Sequence, residues 1–146
     1  MADIDSALLG IPDLIALSNT AGIPGVSIAG LLLELVDGIP SIAGMLDGMG
    51  APVVFNRRFY DYAGPLTAED ILIDERLYHP DDIPEIGGIR IMINKRPRAM
   101  AVEARLRRWD HSYRWHRIDF TPLFFGRPAP LAFLVCATEI SPKWAT

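Results

Sequence analysis

Three histidines and one cysteine give this 146-residue chain its main scope for acid–base, metal or nucleophilic chemistry. His79 is followed closely by Asp81 and Asp82, and such a cluster could work as an acid–base pair or bind a metal ion. The same residues also suit a turn before a helix, where they would accept hydrogen bonds from backbone N–H groups. We favour that structural interpretation. The histidines lack the spacing of a zinc site, so the sequence predicts neither a metal site nor a catalytic residue.

A small α+β enzyme is the alternative hypothesis. It would use His79 or His116 together with a carboxylate such as Asp81 or Asp119. The hypothesis requires a histidine and a carboxylate to converge in an open pocket, so the distances between these groups decide it.

Cys136 lies in the most apolar stretch of the chain, which indicates a small buried side chain rather than a reactive thiol. A single cysteine cannot form a disulfide within the chain, and this fits a reducing, cytoplasmic compartment.

The net charge of −4 disfavours a general nucleic-acid-binding protein. The apolar stretch over residues 23–49 is interrupted by proline, glycine and acidic residues, so no membrane span is predicted. The length fits one domain.

Three segments in the second half of the chain have the residue patterns of β-strands, either alternating apolar and polar residues or a continuous apolar run. They are Val102–Trp109, Tyr113–Phe120 and Leu131–Ala137, and the third is apolar on both faces, as in a central strand. Asp110 and His111 occupy the turn between the first two runs. His111 suits a two-residue type I′ turn less well than glycine, which favours a longer turn. In the second run Tyr113 and Trp115 share one face, and Ile118 and Phe120 share the other.

The first half of the chain predicts helices and two short strands. Ile28–Val36 is apolar nearly all round, so this helix is expected to be buried on more than one side. Ile42–Leu46 and Pro52–Phe55 are predicted strands, and Asn56 is placed to cap a helix over Arg57–Tyr62. A further short helix is predicted to begin at Asp5 or Ser6 and run through Leu9.

The longest predicted helix covers Asp82–Asn94 and is expected to be capped by Asp81 or Asp82. Its middle contains Gly87 and Gly88, which cost about 2 kcal/mol relative to two alanines. The glycine pair therefore predicts either a break in the helix or a close packing contact.

Five segments in order resemble the PAS domain, a sensory module of many histidine kinases and other signalling proteins. Glu34–Pro40 is similar to the entry helix and first strand of that family. Phe55–Gly64 resembles its N-x-x-F-x-x-x-x-G segment, and His79–Asp82 resembles its HPDD. Glu103–Trp115 resembles E-x-R-x-R-x-D-G-x-Y-R-W, although His111 replaces the turn glycine. Ala137–Ile140 resembles A-T-D-I.

The resemblance implies an α+β fold, with a PAS-like five-stranded antiparallel sheet, short helices on one face and an N-terminal helix. It divides the chain into an apolar, Gly/Pro-rich extension (1–30), a sensory domain (31–141) and a tail (142–146). The implied function is a sensory and signal-transduction module without catalysis of its own, of the kind that forms the sensor portion of a histidine kinase in two-component systems.

The resemblance also implies a pocket between the long helix and the sheet. A homodimer is expected, because the second face of the sheet needs a cover from the N-terminal segment or from another copy. Either a small ligand or a protein partner would be bound. The expected ligand-binding residues are Ile86, Ile89, Ile93, Leu106, Trp115 and Val135.

The cofactor is left open. A covalently reacting flavin requires a cysteine in the helical region, and Glu69–Arg96 contains none. A haem requires a histidine on the long helix, and none lies there. Both cofactors are therefore disfavoured, whereas non-covalent flavin stays open.

Overall fold

A computed structural model describes residues 28–141 of the chain. The helix predicted to begin at Asp5 or Ser6 and the 142–146 tail lie outside the described residues, as does most of the 1–30 extension. The first described helix begins at Ile28 and so crosses the predicted boundary between residues 30 and 31.

Five α-helices, one 3₁₀ turn and five strands form the regular secondary structure of the described residues. In chain order they are α1 (Ile28–Asp37), β1 (Ile42–Asp47), β2 (Pro52–Phe55), α2 (Arg57–Ala63), α3 (Ala68–Ile71), α4 (Asp74–Leu77), the 3₁₀ turn (Pro80–Asp82), α5 (Ile83–Lys95), β3 (Met100–Arg107), β4 (Tyr113–Leu123) and β5 (Ala132–Glu139).

The five strands form one antiparallel sheet in the order β2-β1-β5-β4-β3. This confirms the predicted α+β class and five-stranded sheet. β5 lies at the centre, as its apolar residues on both faces predicted. Arg107 pairs with Tyr113, so the β3–β4 turn is longer than two residues. His111 adopts φ 68° within it, a left-handed conformation.

Asn56 ties α2 to the first strand and to α1. Its side-chain oxygen accepts hydrogen bonds from the backbone N–H groups of Phe59 and Ala43, both at 3.1 Å. Its side-chain NH₂ donates to the carbonyls of Val36 and Ser41, at 3.0 and 2.8 Å. The predicted cap at Asn56 is confirmed, and the two donated bonds extend its role beyond the cap.

α5 is continuous through Gly87 and Gly88. A methyl group added at either glycine would meet nothing within 4 Å, apart from its neighbours and the helix backbone. The expected break and the expected close contact are therefore both wrong. The helix persists because the cost of two glycines is small beside the burial of Ile86 and Ile93 against the sheet.

The two faces of the sheet carry separate apolar cores. α5 packs on one face, over residues that include Val102, Ile118 and Phe133. α1 packs on the other through Leu32 and Val36. No helix within residues 28–141 has the length and apolarity needed to cross a membrane.

Within residues 28–141, α1 is buried on one side, and the predicted burial on a second side is untested there. Leu35 is 59% exposed and Leu31 is 37% exposed, four positions apart on the side away from the core. Packing within residues 28–141 therefore buries only some of the apolar side chains of α1.

Candidate ligand-binding site

A cavity of about 270 Å³ lies between α5 and the sheet. Four of the six predicted ligand-binding residues line it, and each is held by a regular element. Ile86, Ile89 and Ile93 come from one side of α5, because positions three and four apart on a helix share a face. Val135 faces them from the central strand β5. Apolar residues from β1, β2 and β4 complete the sheet side, namely Leu46, Phe55 and Phe120.

The other two predicted residues lie elsewhere. Leu106 packs on the α5 face and lines a smaller space of about 60 Å³, which shares Phe55, Tyr78 and Val135 with the main cavity. Trp115 belongs to the opposite face of the sheet, because it alternates along β4 with residues that face α5. It is therefore removed from the candidate site.

Among the described residues that line the cavity, only Tyr78 and Arg90 carry nitrogen or oxygen in their side chains. Arg90 is paired with Asp74, and its Nη1 donates to Asp74 Oδ2 at 2.8 Å. This hydrogen bond holds the pKa of the Asp74 carboxyl below its usual value. Burial raises the pKa of Tyr78 to about 12, so its hydroxyl stays protonated at neutral pH.

Tyr78 was not among the predicted ligand-binding residues. Its backbone forms a β-bridge with Leu106, just before the 3₁₀ turn that leads into α5. The sequence feature that could have identified Tyr78 is its position directly before the HPDD segment. That segment marks where the chain meets the edge of the sheet.

Met49 and Leu72 mark the open side of the cavity. Both line it, and both are largely exposed to solvent. Met49 lies in the β1–β2 turn and Leu72 follows α3, so loop and helix-end residues border the opening.

Asp82 and Arg105 join the start of α5 to the edge strand β3. The Asp82 carboxylate accepts hydrogen bonds from the Arg105 backbone N–H (2.7 Å), Nε (3.0 Å) and Nη2 (2.9 Å). Arg105 Cζ also lies 4.6 Å from the centre of the Trp115 ring. Asp82 occupies the predicted cap position of the long helix, but its side chain makes no capping hydrogen bond and bonds to Arg105 instead.

The histidine–carboxylate pairs of the enzyme hypothesis do not converge in the cavity. His116 is only 2% exposed and its Nδ1 lies 2.9 Å from the Arg114 carbonyl oxygen, whereas Asp119 is on the opposite face of the sheet. His79 Nδ1 accepts from the Asp81 N–H at 3.1 Å, and the exposed Asp81 carboxylate is 3.9 Å away. Neither histidine lines the cavity.

Burial lowers the pKa of His116, so its ring is neutral at pH 7. His79 serves in the turn before α5, which is the structural role that the sequence favoured.

The chain's own residues do not fit a covalently bound flavin in this cavity. Cys136, the single cysteine of the chain, pairs with Ala43 and Asp119 on the face of the sheet away from α5. It is half-buried, and burial raises the pKa of its thiol. No histidine lines the cavity to ligate a haem iron. Within the described part of the chain, no group of three or more histidine, cysteine and acidic residues is arranged to hold a metal ion.

No protein-family model matches the chain, and no curated protein matches it. Solved structures with a similar fold include the LOV protein of Rhodobacter sphaeroides, with 19% identity and a TM-score of 0.59, over 75% of this chain and 66% of that one. The PAS domain of the fruit-fly ELK potassium channel matches with 17% identity and a TM-score of 0.60, over 75% and 94% of the two chains.

The Drosophila melanogaster Cycle PAS-B domain, solved with bound ethylene glycol, matches with 16% identity and a TM-score of 0.53, over 68% and 99%. The match to the Rhodobacter protein leaves about a third of that chain uncovered. The sheet order, the long helix across one face and these solved structures together establish that this chain has the fold of a PAS domain.

Proposed function

We propose that this chain is a sensory and signal-transduction module that binds a small molecule in the cavity between α5 and the sheet. The cavity itself carries this proposal. It is enclosed by apolar side chains from four strands and α5, and it has two polar side chains along its wall, which is the usual composition of a small-molecule site. The PAS fold supports a sensory role, because it is the fold of sensory domains such as LOV proteins.

In this proposal the chain has no catalytic activity of its own and acts in the cytoplasm, as the sensor portion of a histidine kinase or a similar two-component protein. No histidine and no carboxylate is among the described residues that line the cavity, and this supports the lack of catalysis. Ligand binding would be transmitted through the sheet, since the cavity and α1 lie on opposite faces of the same strands.

We further propose that the chain acts as a homodimer in which a second copy covers the exposed side of α1. Leu31 and Leu35 support this arrangement, because adjacent exposed leucines on one helix side are typical of protein contact surfaces.

A cavity-filling substitution tests the binding site. We expect native mass spectrometry of the purified protein to reveal a bound small molecule, or a site that takes up an added apolar one. Ile89→Trp places a larger side chain in the cavity and should abolish that binding. Ile91→Trp is the matched control, because Ile91 is 56% exposed on the same helix and does not line the cavity.

Equal ligand binding by both variants would contradict the proposed site. Thermal unfolding of each variant, followed by circular dichroism, separates loss of binding from loss of fold.

A further inference from the structure

We propose that the cavity selects electrically neutral, mostly apolar ligands that exchange a hydrogen bond with the Tyr78 hydroxyl. This proposal rests on the proposed function of the cavity and adds the chemical class of the ligand. The Tyr78 hydroxyl and the Arg90–Asp74 ion pair carry it.

The hydroxyl of Tyr78 makes no hydrogen bond to any residue within 28–141. Tyr62 provides the contrast, because its hydroxyl donates to the Leu106 carbonyl at 2.8 Å. Within the described residues, every side-chain nitrogen or oxygen shut off from solvent has a partner, so the Tyr78 oxygen keeps some accessible surface. Tyr78 and Arg90 both line the cavity, and the charges of Arg90 and Asp74 act on the Tyr78 hydroxyl. Our proposal therefore places the hydroxyl at this polar part of the wall, where it can donate to or accept from a bound molecule.

The charges at the cavity wall cancel. Arg90 is the single charged residue among the wall residues that the structure describes, and Asp74 already occupies its guanidinium group with two hydrogen bonds. An anionic ligand would have to compete with Asp74 for Arg90. A cationic ligand would meet no unpaired carboxylate on the wall, and either ion would lose its hydration among apolar side chains.

Toluene and phenol form a matched pair of probes, because they differ by a methyl and a hydroxyl group of similar size. Isothermal titration calorimetry would compare both with benzoate, on the wild-type protein and on Tyr78→Phe and Ile89→Trp variants. One neutral hydrogen bond corresponds to about a 2- to 12-fold change in affinity. We expect Tyr78→Phe to weaken phenol binding by that factor and to leave toluene binding unchanged.

Benzoate should bind the wild-type protein at least about tenfold more weakly than phenol, because charge is excluded. Ile89→Trp should abolish binding of both neutral probes. If phenol and toluene bind but Tyr78→Phe affects them equally or not at all, the ligand class is wrong and the cavity remains a binding site. Benzoate binding as tight as that of phenol also overturns the ligand class. If neither neutral probe binds, the proposed function fails as well.

Discussion

Asp82 is the residue on which the attachment of α5 to β3 depends most directly. Asp82 is 7% exposed and is the one buried acidic residue among the described residues, and three donors of Arg105 satisfy its carboxylate. A buried carboxylate of this kind strongly destabilises a protein when its partner geometry is lost, because the remaining charge is desolvated and unpaired.

Asp82→Asn should therefore lower the free energy of unfolding by about 3 kcal/mol, since it removes one charge and turns an amide NH₂ towards the guanidinium group of Arg105. Asp81→Asn is the control, because the neighbouring Asp81 side chain is 77% exposed and should cost little. Urea unfolding at pH 7 measures both. Equal stability of the two variants would contradict the role given to Asp82.

The same contact has a defined pH dependence. The hydrogen bonds from Arg105 hold the pKa of Asp82 below its usual value of about 3.9. A carboxyl whose pKa is lower in the folded state stabilises the protein above its unfolded pKa, and this contribution is lost as the pH falls towards the folded pKa. The stability gap between wild type and Asp82→Asn should therefore be complete above about pH 5 and shrink below pH 4, in urea unfolding curves recorded across that range.

Residue-level chemistry was the hardest part of the site to predict from sequence. The strand alternation already placed Trp115 opposite Ile118, so parity alone argued against Trp115 as a ligand-binding residue. Tyr78 and the Asp82–Arg105 pair were missed because both depend on where the chain passes the edge of β3, more than 20 positions later. Such distant pairings leave no periodic signal.

Elements were more predictable than contacts. The period-two pattern over Val102–Trp109 and the apolar run at Leu131–Ala137 both became strands, because alternation and two-sided burial reflect local backbone geometry. The glycine pair in α5 shows the limit of such reasoning. The cost of two glycines to helix stability is evident from the residue types. Whether the helix breaks there depends on its packing against the sheet, which the sequence does not show.

Gly87 and Gly88 predict a gain in stability on substitution. Because both lie inside a continuous helix with open space where a methyl group would be added, alanine at both positions should raise the free energy of unfolding by about 1–2 kcal/mol. Thermal and urea unfolding would measure the gain.

Gly44→Ala is the contrasting variant, since its methyl group would clash with the Phe55 ring and should destabilise the protein. A loss of stability in the Gly87/Gly88 double variant would show that the helix needs their flexibility or a close neighbour.

At the scale of the whole molecule, one side of the sheet is better covered than the other. The segment between β2 and β3 supplies four helices, α2 to α5. By contrast, α1 is the described helix that packs on the core of the face away from α5. From the two-sided apolar strands, the sequence predicted that the second face needs a cover from the N-terminal segment or from another copy. It could not predict that Leu31 and Leu35 of α1 would be exposed. An apolar helix has the same sequence pattern whether it is covered by its own chain or by a second copy.

The exposed side of α1 gives the prediction for assembly. If a second copy covers Leu31 and Leu35, the wild-type protein should have twice the 16.1 kDa subunit mass, and Leu35→Glu should shift it to the monomer because a carboxylate would be buried unpaired at the contact. Light scattering after size-exclusion chromatography, at several concentrations, measures the mass.

Ile91→Glu is the matched control, since Ile91 is similarly exposed but lies on α5, across the sheet from α1. A dimer that survives Leu35→Glu but is lost with Ile91→Glu would place the contact on the cavity side instead. A monomeric wild-type protein would instead leave α1 to be covered by another part of a longer chain or by a different partner. Whatever covers α1 would still lie across the same strands from the cavity, because the two cores share the central strand β5.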